Sequence, residues 1–440
     1  MPMRIEDILN HKGHEGHKDN HTKAPVFLCA LRDLCGLTPM RTAWTFHSAV
    51  SLVFGRDSVR QLGDIVNRLP AKKVLVVTDP ILVKAGVADA AINPLKAAGV
   101  AVTDFDGGQA EAPLAAVKAC ENAARAAKLD AIVALGGGSN MDIAKMTAVL
   151  LTHGGTIQDY LGDDRIPGPI LPVICIPTTA GTGSEVSGAA AFTDTDNKVK
   201  VGCLSNYLRP RVAVVDPLLT VSCPPKVTAD SGIDALTHAI EAFTAVNNED
   251  FPLPAGERSV YQGRNPMGDL CAERAIKLCG QFLPRAAKNG KDLEAREGMA
   301  LAAMLAGLAF SNVGVALVHA MEYPVGGATG CSHGAGNGLL LPHVMRFHLP
   351  LRTAEFAKVA EWLGEDVSGL NENDAAERAV TAVEKLLVDI GIPRKLREFG
   401  VTAEQLPSFA EKAVAIKRIL RVNPRPVTAA DCEAIYRAAL

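Results

Sequence analysis

Short apolar runs punctuate the first half of the chain: VLVVT (74–78), VAVTDF (100–105), AIVAL (131–135), VICIP (173–177) and VAVVD (212–216). Runs of this length, rich in β-branched residues and separated by amphipathic stretches, predict a sheet joined by crossover helices. PLAAVKACENAARAAKL (113–129) is one such helix, with Pro113 where a first-turn proline is tolerated. After Pro217 the strand pattern fades and helical periodicity takes over, in DALTHAIEAF, AERAIKLCGQFL, AEFAKVAEWLG and AAERAVTAVEKLLVDIG. The expected organisation is a flexible tail over 1–40, an α/β domain over 41–222 and an all-helical domain over 223–440.

Composition narrows the function classes. The 440 residues, 48% of them hydrophobic, suffice for one or two buried cores, and the length suggests two domains. Forty-five Lys and Arg against 48 Asp and Glu leave no basic footprint for nucleic acid. None of the ten cysteines forms a CxxC pair, so reduced thiols in a cytoplasmic setting are expected. The uncharged stretch 298–318 is built of Ala and Gly, is broken by Ser311 and Asn312 and runs into His319, so it reads as a core helix or helix pair, and no membrane partner is expected. Residues 1–24 lack a secretory apolar core, and their acidic residues argue against a transit peptide. His11, His14, His17 and His21 form a tract that reads as a disordered tail or a small metal-binding one.

Two loops of the first half carry chemistry. AIVAL runs into Gly136, Gly137, Gly138 and Ser139 and then into the helical NMDIAKMTAVLL, so bare backbone and a helix N-terminus meet at one point. Such a junction suits a pyrophosphate, or serves as a tight turn. PTTAGTGSE (177–185) follows another strand, with hydroxyls and glycines fit to grip a ribose or phosphate. Asp79, at the end of an early strand, suits an adenosine ribose and would repel a 2′-phosphate, favouring NAD over NADP; as a turn aspartate before Pro80 it needs no ligand.

In the helical half, Asp234 and His238 lie four apart, on one helical face and one turn from each other, so both can ligate the same ion. His319 and His333 follow on later segments. Three imidazoles with one carboxylate suit Fe²⁺ or Zn²⁺.

GGGSNMDIAK, PTTAGTGSE, DALTHAIEA and the two later histidines, in this order from about Thr42 to the C-terminus, resemble the iron-containing alcohol dehydrogenase family, whose fold is shared with dehydroquinate synthases. The resemblance implies an α/β dinucleotide-binding domain followed by a helical metal-binding domain. It implies that Asp234, His238, His319 and His333 hold the metal, iron or zinc. It implies that Gly137, Gly138, Ser139 and Asp142 line the pyrophosphate of NAD, that Thr178, Thr179 and Thr182 flank the dinucleotide, and that Lys200 and Asp79 lie near its riboses. A small-molecule substrate and a homo-oligomer are expected with it.

The segment 246–270, VNNEDFPLPAGERSVYQGRNPMGDL, and VHAMEYPVGG are similar to the hydroxyacid-oxoacid transhydrogenase branch, which implies oxidation of 4-hydroxybutyrate coupled to reduction of a 2-oxoacid. Arg258 and Arg264 in that segment are candidates for a substrate carboxylate, or for a surface or subunit contact. Two positions depart from the family. Tyr323 stands where many members carry a histidine that relays a proton, and Glu111, Ala112 and Pro113 replace an Asn-Pro-Thr near the cofactor.

Overall fold

A computed structural model describes residues 41–440 apart from Lys198 and Ala255. The histidine tract, Cys29 and Cys35 lie outside the described residues.

The apolar runs form a six-stranded parallel sheet: β1 (Ser51–Phe54), β2 (Lys73–Val77), β3 (Ala101–Phe105), β4 (Ala131–Gly136), β6 (Val173–Pro177) and β9 (Val212–Val215), in the order β1-β9-β6-β4-β2-β3. All five expected strands are present. The runs in β2, β4, β6 and β9 are apolar without alternation because each face of the sheet has its own core. Leu75, Val77, Ile132 and Ala134 enter one cluster, and their neighbours Val74, Val76, Ala131 and Val133 enter the other. Helices α1 (Leu62–Arg68), α2 (Pro80–Lys84), α3 (Ala88–Ala97), α4 (Leu114–Arg125) and α5 (Gly138–His153) connect the strands, followed by a single turn, α6 (Ile157–Tyr160). A smaller sheet is made by β5 (Gly162–Asp163), β7 (Ala189–Asp194) and β8 (Val199–Leu204), in the order β5-β8-β7. Its strands have mixed exposure and were not visible as apolar runs.

The sheet places the loops. The chain goes from β2 to β3 on one side, then back across to β4 on the other, so the direction reverses between β2 and β4. Ligands of open α/β sheets bind beyond the carboxyl ends of strands at such a reversal. β4 and β6 are hydrogen-bonded neighbours, with Gly136 opposite Pro177, so the two glycine loops emerge side by side.

Beyond β9 the chain is helical: α7 (Pro225–Thr244), α8 (Pro266–Lys288), α9 (Leu293–Val313), α10 (Leu317–Thr329) and α11 (His333–His348), then α12 (Thr353–Trp362), α13 (Glu372–Ile390), α14 (Leu406–Val414), α15 (Lys417–Leu420) and α16 (Ala429–Ala439). α7 is central: sixteen of its twenty residues are buried. The uncharged stretch 298–318 is a helix pair, α9 and α10, bent by 104°. Gly314, at φ +125°, makes the bend. Among the described residues no single helix is long and apolar enough to cross a membrane.

Candidate active site

The four expected ligands meet at one point. Asp234 and His238 project from successive turns of α7, His319 from the first turn of α10 and His333 from the start of α11. Each of the three histidines places Nε2 3.9 Å from Asp234 Oδ1. Asp234, His319 and His333 offer one donor atom each, all within 4.8 Å of one another. The His238 ring joins them by stacking on His319 at 4.8 Å between centroids, with Phe310 on its other face at 4.2 Å. α11 reaches this point because residue 334 is glycine: a Cβ there would lie 1.9 Å from the Asp230 carbonyl oxygen of α7.

Three further side chains orient the cluster. Glu241 Oε2 lies 2.5 Å from His319 Nδ1, and Glu322 Oε2 lies 2.5 Å from His333 Nδ1. A carboxylate only accepts, so each Nδ1 carries the proton and each Nε2 turns its lone pair to the centre. Glu241 also accepts the backbone N–H groups of Ala316 (3.0 Å) and Val318 (2.7 Å), fixing the start of α10. Asn337, one turn beyond His333, donates from Nδ2 to Asp234 Oδ1 at 2.8 Å and lies 3.2 and 3.1 Å from Nε2 of His319 and His333. The electrostatics follow from this crowding. Burial would raise the Asp234 carboxyl, but His238, His333 and His319 hold it at about 2. Burial pushes His238 down to about 3, against the pull of Asp234. Burial pushes the His333 ring down, but Glu322 and Asp234 lift it to about 9, so below that pH its Nε2 holds a proton that a bound cation would displace.

The glycine loops adjoin this cluster across a cavity of about 200 Å³ lined by Gly138, Ser139, Asp142 and Thr182 on one side and by Asp234, His238, His319 and His333 on the other. Gly137 is the N-cap of α5, so Gly138 and Ser139 open its first turn with unpaired amides. A Cβ on Gly138 would come within 2.9 Å of the Thr182 side chain, and one on Gly137 within 3.7 Å of Thr179. Thr178 is buried at the end of β6, its N–H bonded to the Gly136 carbonyl. Asp142 accepts from the Ser184 hydroxyl (2.7 Å) and from Ala191 N–H (2.9 Å), and the buried Lys145 donates to the carbonyls of Ser184, Ser187 and Ala189. Asp79 sits at the far end, where it caps α2 through Ile81 and Leu82 N–H and accepts Asn140 Nδ2 at 2.8 Å. Its capping role, one of the two readings of the sequence, is therefore filled within the chain.

Lys200, on β8, lies in the cavity wall beside the cluster of Asp234 and the three histidines, paired with Glu111 and facing Glu322. Arg264 is committed to Asp269 (2.8 Å) and Glu355 (2.6 Å) and stacks over Phe243, and the exposed Arg258 lies 3.6 Å from Asp164. Neither arginine lines the cavity. Tyr261, from the same segment, does.

Residues 49–217 match the iron-containing alcohol dehydrogenase family, and residues 255–440 match the Fe-containing alcohol dehydrogenase family, C-terminal. The chain is 42% identical over 388 residues to long-chain-alcohol dehydrogenase 1 of Geobacillus thermodenitrificans, covering 88% of this chain and 94% of that one. The chain belongs to the iron-containing alcohol dehydrogenase family. It is 31% identical to the mitochondrial hydroxyacid-oxoacid transhydrogenase of Rattus norvegicus over 462 aligned positions, 99% of this chain and 98% of that one. A crystal structure of a 1,3-propanediol oxidoreductase superposes with a TM-score of 0.84 at 36% identity, covering 90% of this chain and all of that one.

An iron-containing alcohol dehydrogenase implies a metal and NAD, and the residues present fit both. Three Nε2 lone pairs and a buried carboxylate converge where one amide has only two N–H groups to offer, a donor set that a divalent cation satisfies in full. Donor separations of 3.9 Å are slightly wider than the roughly 3.4–3.8 Å of a tetrahedron with ~2.1–2.3 Å bonds. The loops at Gly138 and Thr182 fit the NAD pyrophosphate, since a side chain at 138 would close their gap.

Glu241, Glu322 and Asn337 were not anticipated from the sequence, although the signal is there. Glu241 extends the Asp234/His238 stripe by three, Glu322 follows His319 by three, and Asn337 follows His333 by four.

Proposed function

We propose that the chain transfers hydride between a small alcohol or its carbonyl counterpart and NAD, with Asp234, His238, His319 and His333 holding a divalent cation, Fe²⁺ or Zn²⁺. The observation that carries this reading is the convergence of three Nε2 atoms on Asp234 Oδ1, with Glu241 and Glu322 fixing the protons of His319 and His333 on the far ring nitrogens. When bound, the cation supplies Lewis acidity toward the substrate oxygen, and NAD supplies the hydride acceptor. In this reading Gly136, Gly137, Gly138 and Ser139 hold the pyrophosphate with the α5 amides. Thr178, Thr179 and Thr182 form the facing wall, and Asp142 keeps that wall in register through Ser184 and Ala191. Lys200 sits at the nicotinamide end and Asp79 at the adenosine end. Tyr323 keeps its proton, because burial pushes the phenol further above its ordinary value, so it acts as a donor and not as a base.

The test is metal analysis of protein purified anaerobically, followed by NADH formation with a panel of alcohols. His333→Ala is expected to lose metal and turnover while still binding NADH. Undiminished turnover by metal-stripped protein would overturn the proposal.

The transhydrogenase activity is a finer form of the same reading, supported by the alignment to the rat enzyme over nearly the whole of both chains. It requires that 4-hydroxybutyrate be oxidised with 2-oxoglutarate as acceptor and no added NAD. A strict need for added NAD in every turnover favours the simple dehydrogenase.

A further inference from the structure

The wall of the cavity carries two phenols, and of these the proposed reaction gives a role to Tyr323 alone. Tyr261 and Tyr323 both line it. Among the described residues, no protein group forms a hydrogen bond with either phenol oxygen. The Tyr323 ring lies 6.1 Å from that of His333, so it borders the place where a substrate oxygen would react. Tyr261 is held there by its neighbours. Gln262 and Gly263 donate their backbone N–H groups to the carbonyls of Asn312 and Val313 (3.0 Å each), and Gln262 is clasped by Thr45. Gly314 leaves room for the ring, since a Cβ there would sit 3.0 Å from Tyr261 Cδ2. This scaffolding fixes the Tyr261 ring in the cavity wall, and neither phenol is given an acceptor by the described residues.

The charges around the phenols are mixed. Lys200 is shared between Glu111 and Glu322. Arg418, packed against Gly202 on β8, forms no ion pair among the described residues and faces both phenols, while Asp163 and Glu241 also face Tyr261, and Glu322 and Asp234 also face Tyr323. A cavity for an unsubstituted alkyl chain would not carry two phenols that have no protein partner and a guanidinium facing both.

We propose that the phenols of Tyr261 and Tyr323, in the field of Arg418 and Lys200, form a subsite for the anionic tail of a short hydroxy- or oxo-acid. The tail is a carboxylate or a sulfonate, since both offer oxygens to two O–H donors. The proposal deepens the hydride-transfer reading and rests on it. It also assigns the recognition that the sequence had offered to Arg258 or Arg264 to the neighbouring Tyr261.

The test compares 4-hydroxybutyrate, 3-hydroxypropane-1-sulfonate and butan-1-ol on the same preparations of wild type, Tyr261→Phe, Tyr323→Phe and the double variant. The ratio of kcat/KM for an acid to that for butan-1-ol is expected to fall about tenfold or more in each single variant and further in the double. Because both substrates are measured on one sample, misfolding lowers them alike and leaves the ratio unmoved. Which acid loses more on Tyr→Phe substitution identifies the tail. An unchanged ratio, or a wild type that oxidises butan-1-ol but neither acid, overturns the subsite and leaves the hydride-transfer reading standing. A wild type that is stabilised against heat by the acids, with the stabilisation lost in the double variant, but oxidises no alcohol, supports the subsite and overturns that reading.

Discussion

Glu322→Gln separates the role of the carboxylate behind His333 from its packing. Glu322 is fully buried and wedged between glycines, since a Cβ on Gly326 or Gly336 would come within 2.3 or 2.8 Å of its side chain. Glutamine fits the same space but removes the charge 2.5 Å from His333 Nδ1. Glu322 is the leading charge that lifts His333 to about 9, so its loss lowers the basicity of the ring and hence its strength as a donor. Outer partners of metal-bound histidines are worth about 10–100-fold in metal affinity, which corresponds to ~1.4–2.8 kcal/mol. Competition of Fe²⁺ or Zn²⁺ against a chromophoric chelator measures the change, and the melting temperature of metal-free protein controls for packing. Glu241→Gln should lose affinity and also destabilise the metal-free fold, because Glu241 accepts from Ala316 and Val318 as well as from His319. Unchanged metal affinity in Glu322→Gln, or a loss matched by equal destabilisation of the metal-free protein, would refute the argument.

Two predictions concern the rest of the molecule. Burial and the nearby Arg425 and Arg352 push His348 down to about 3, so between that value and ~6.5 the unfolded chain binds the extra proton and stability falls with falling pH. The contribution is complete above ~6.5 and about 1.4 kcal/mol is lost by pH 5.5, so His348→Leu should flatten the melting-temperature profile between pH 7.5 and 5.5; a slope equal to wild type would count against it. Arg264→Met, which strands Asp269 and Glu355, should cost about 3 kcal/mol in urea unfolding while leaving KM for every substrate within error, whereas a raised KM for acids alone would return Arg264 to the substrate.

How far the sequence carried the fold depended on burial. β2, β4, β6 and β9 were legible because both of their faces are covered, which forces unbroken apolar runs, while the edge strand β3, of mixed exposure, showed only through Val100, Val102 and Phe105. β7 and β8 pair antiparallel with one face buried, through Ala190, Phe192 and Cys203, and the other turned to the cavity, so no unbroken apolar run marks them, although β8 carries Lys200. At the site, spacing alone joined Asp234 to His238, while His319 and His333 were tied to them only through the resemblance, since nothing local says that α10 and α11 begin at the same point of α7.

The missed residues share a physical cause. Glu241, Glu322 and Asn337 lie on helices whose polar residues ordinarily face water, and only the packing of α7, α9, α10 and α11 turns them inward. Gly334 shows the dependence most directly: its lack of a side chain is what lets α11 touch the Asp230 carbonyl and bring His333 and Asn337 to Asp234. Tyr261 depends on still longer contacts, because its aim is set by the pairing of Gln262 and Gly263 with Asn312 and Val313, residues at the end of α9. That same end of α9 leads through the bend at Gly314 to Val318, whose N–H binds the Glu241 that orients His319. The stretch 312–318 therefore positions a cavity phenol on one side and, on the other, the histidine proposed to hold the cation, and a substitution that shifts it should move substrate preference and metal affinity together.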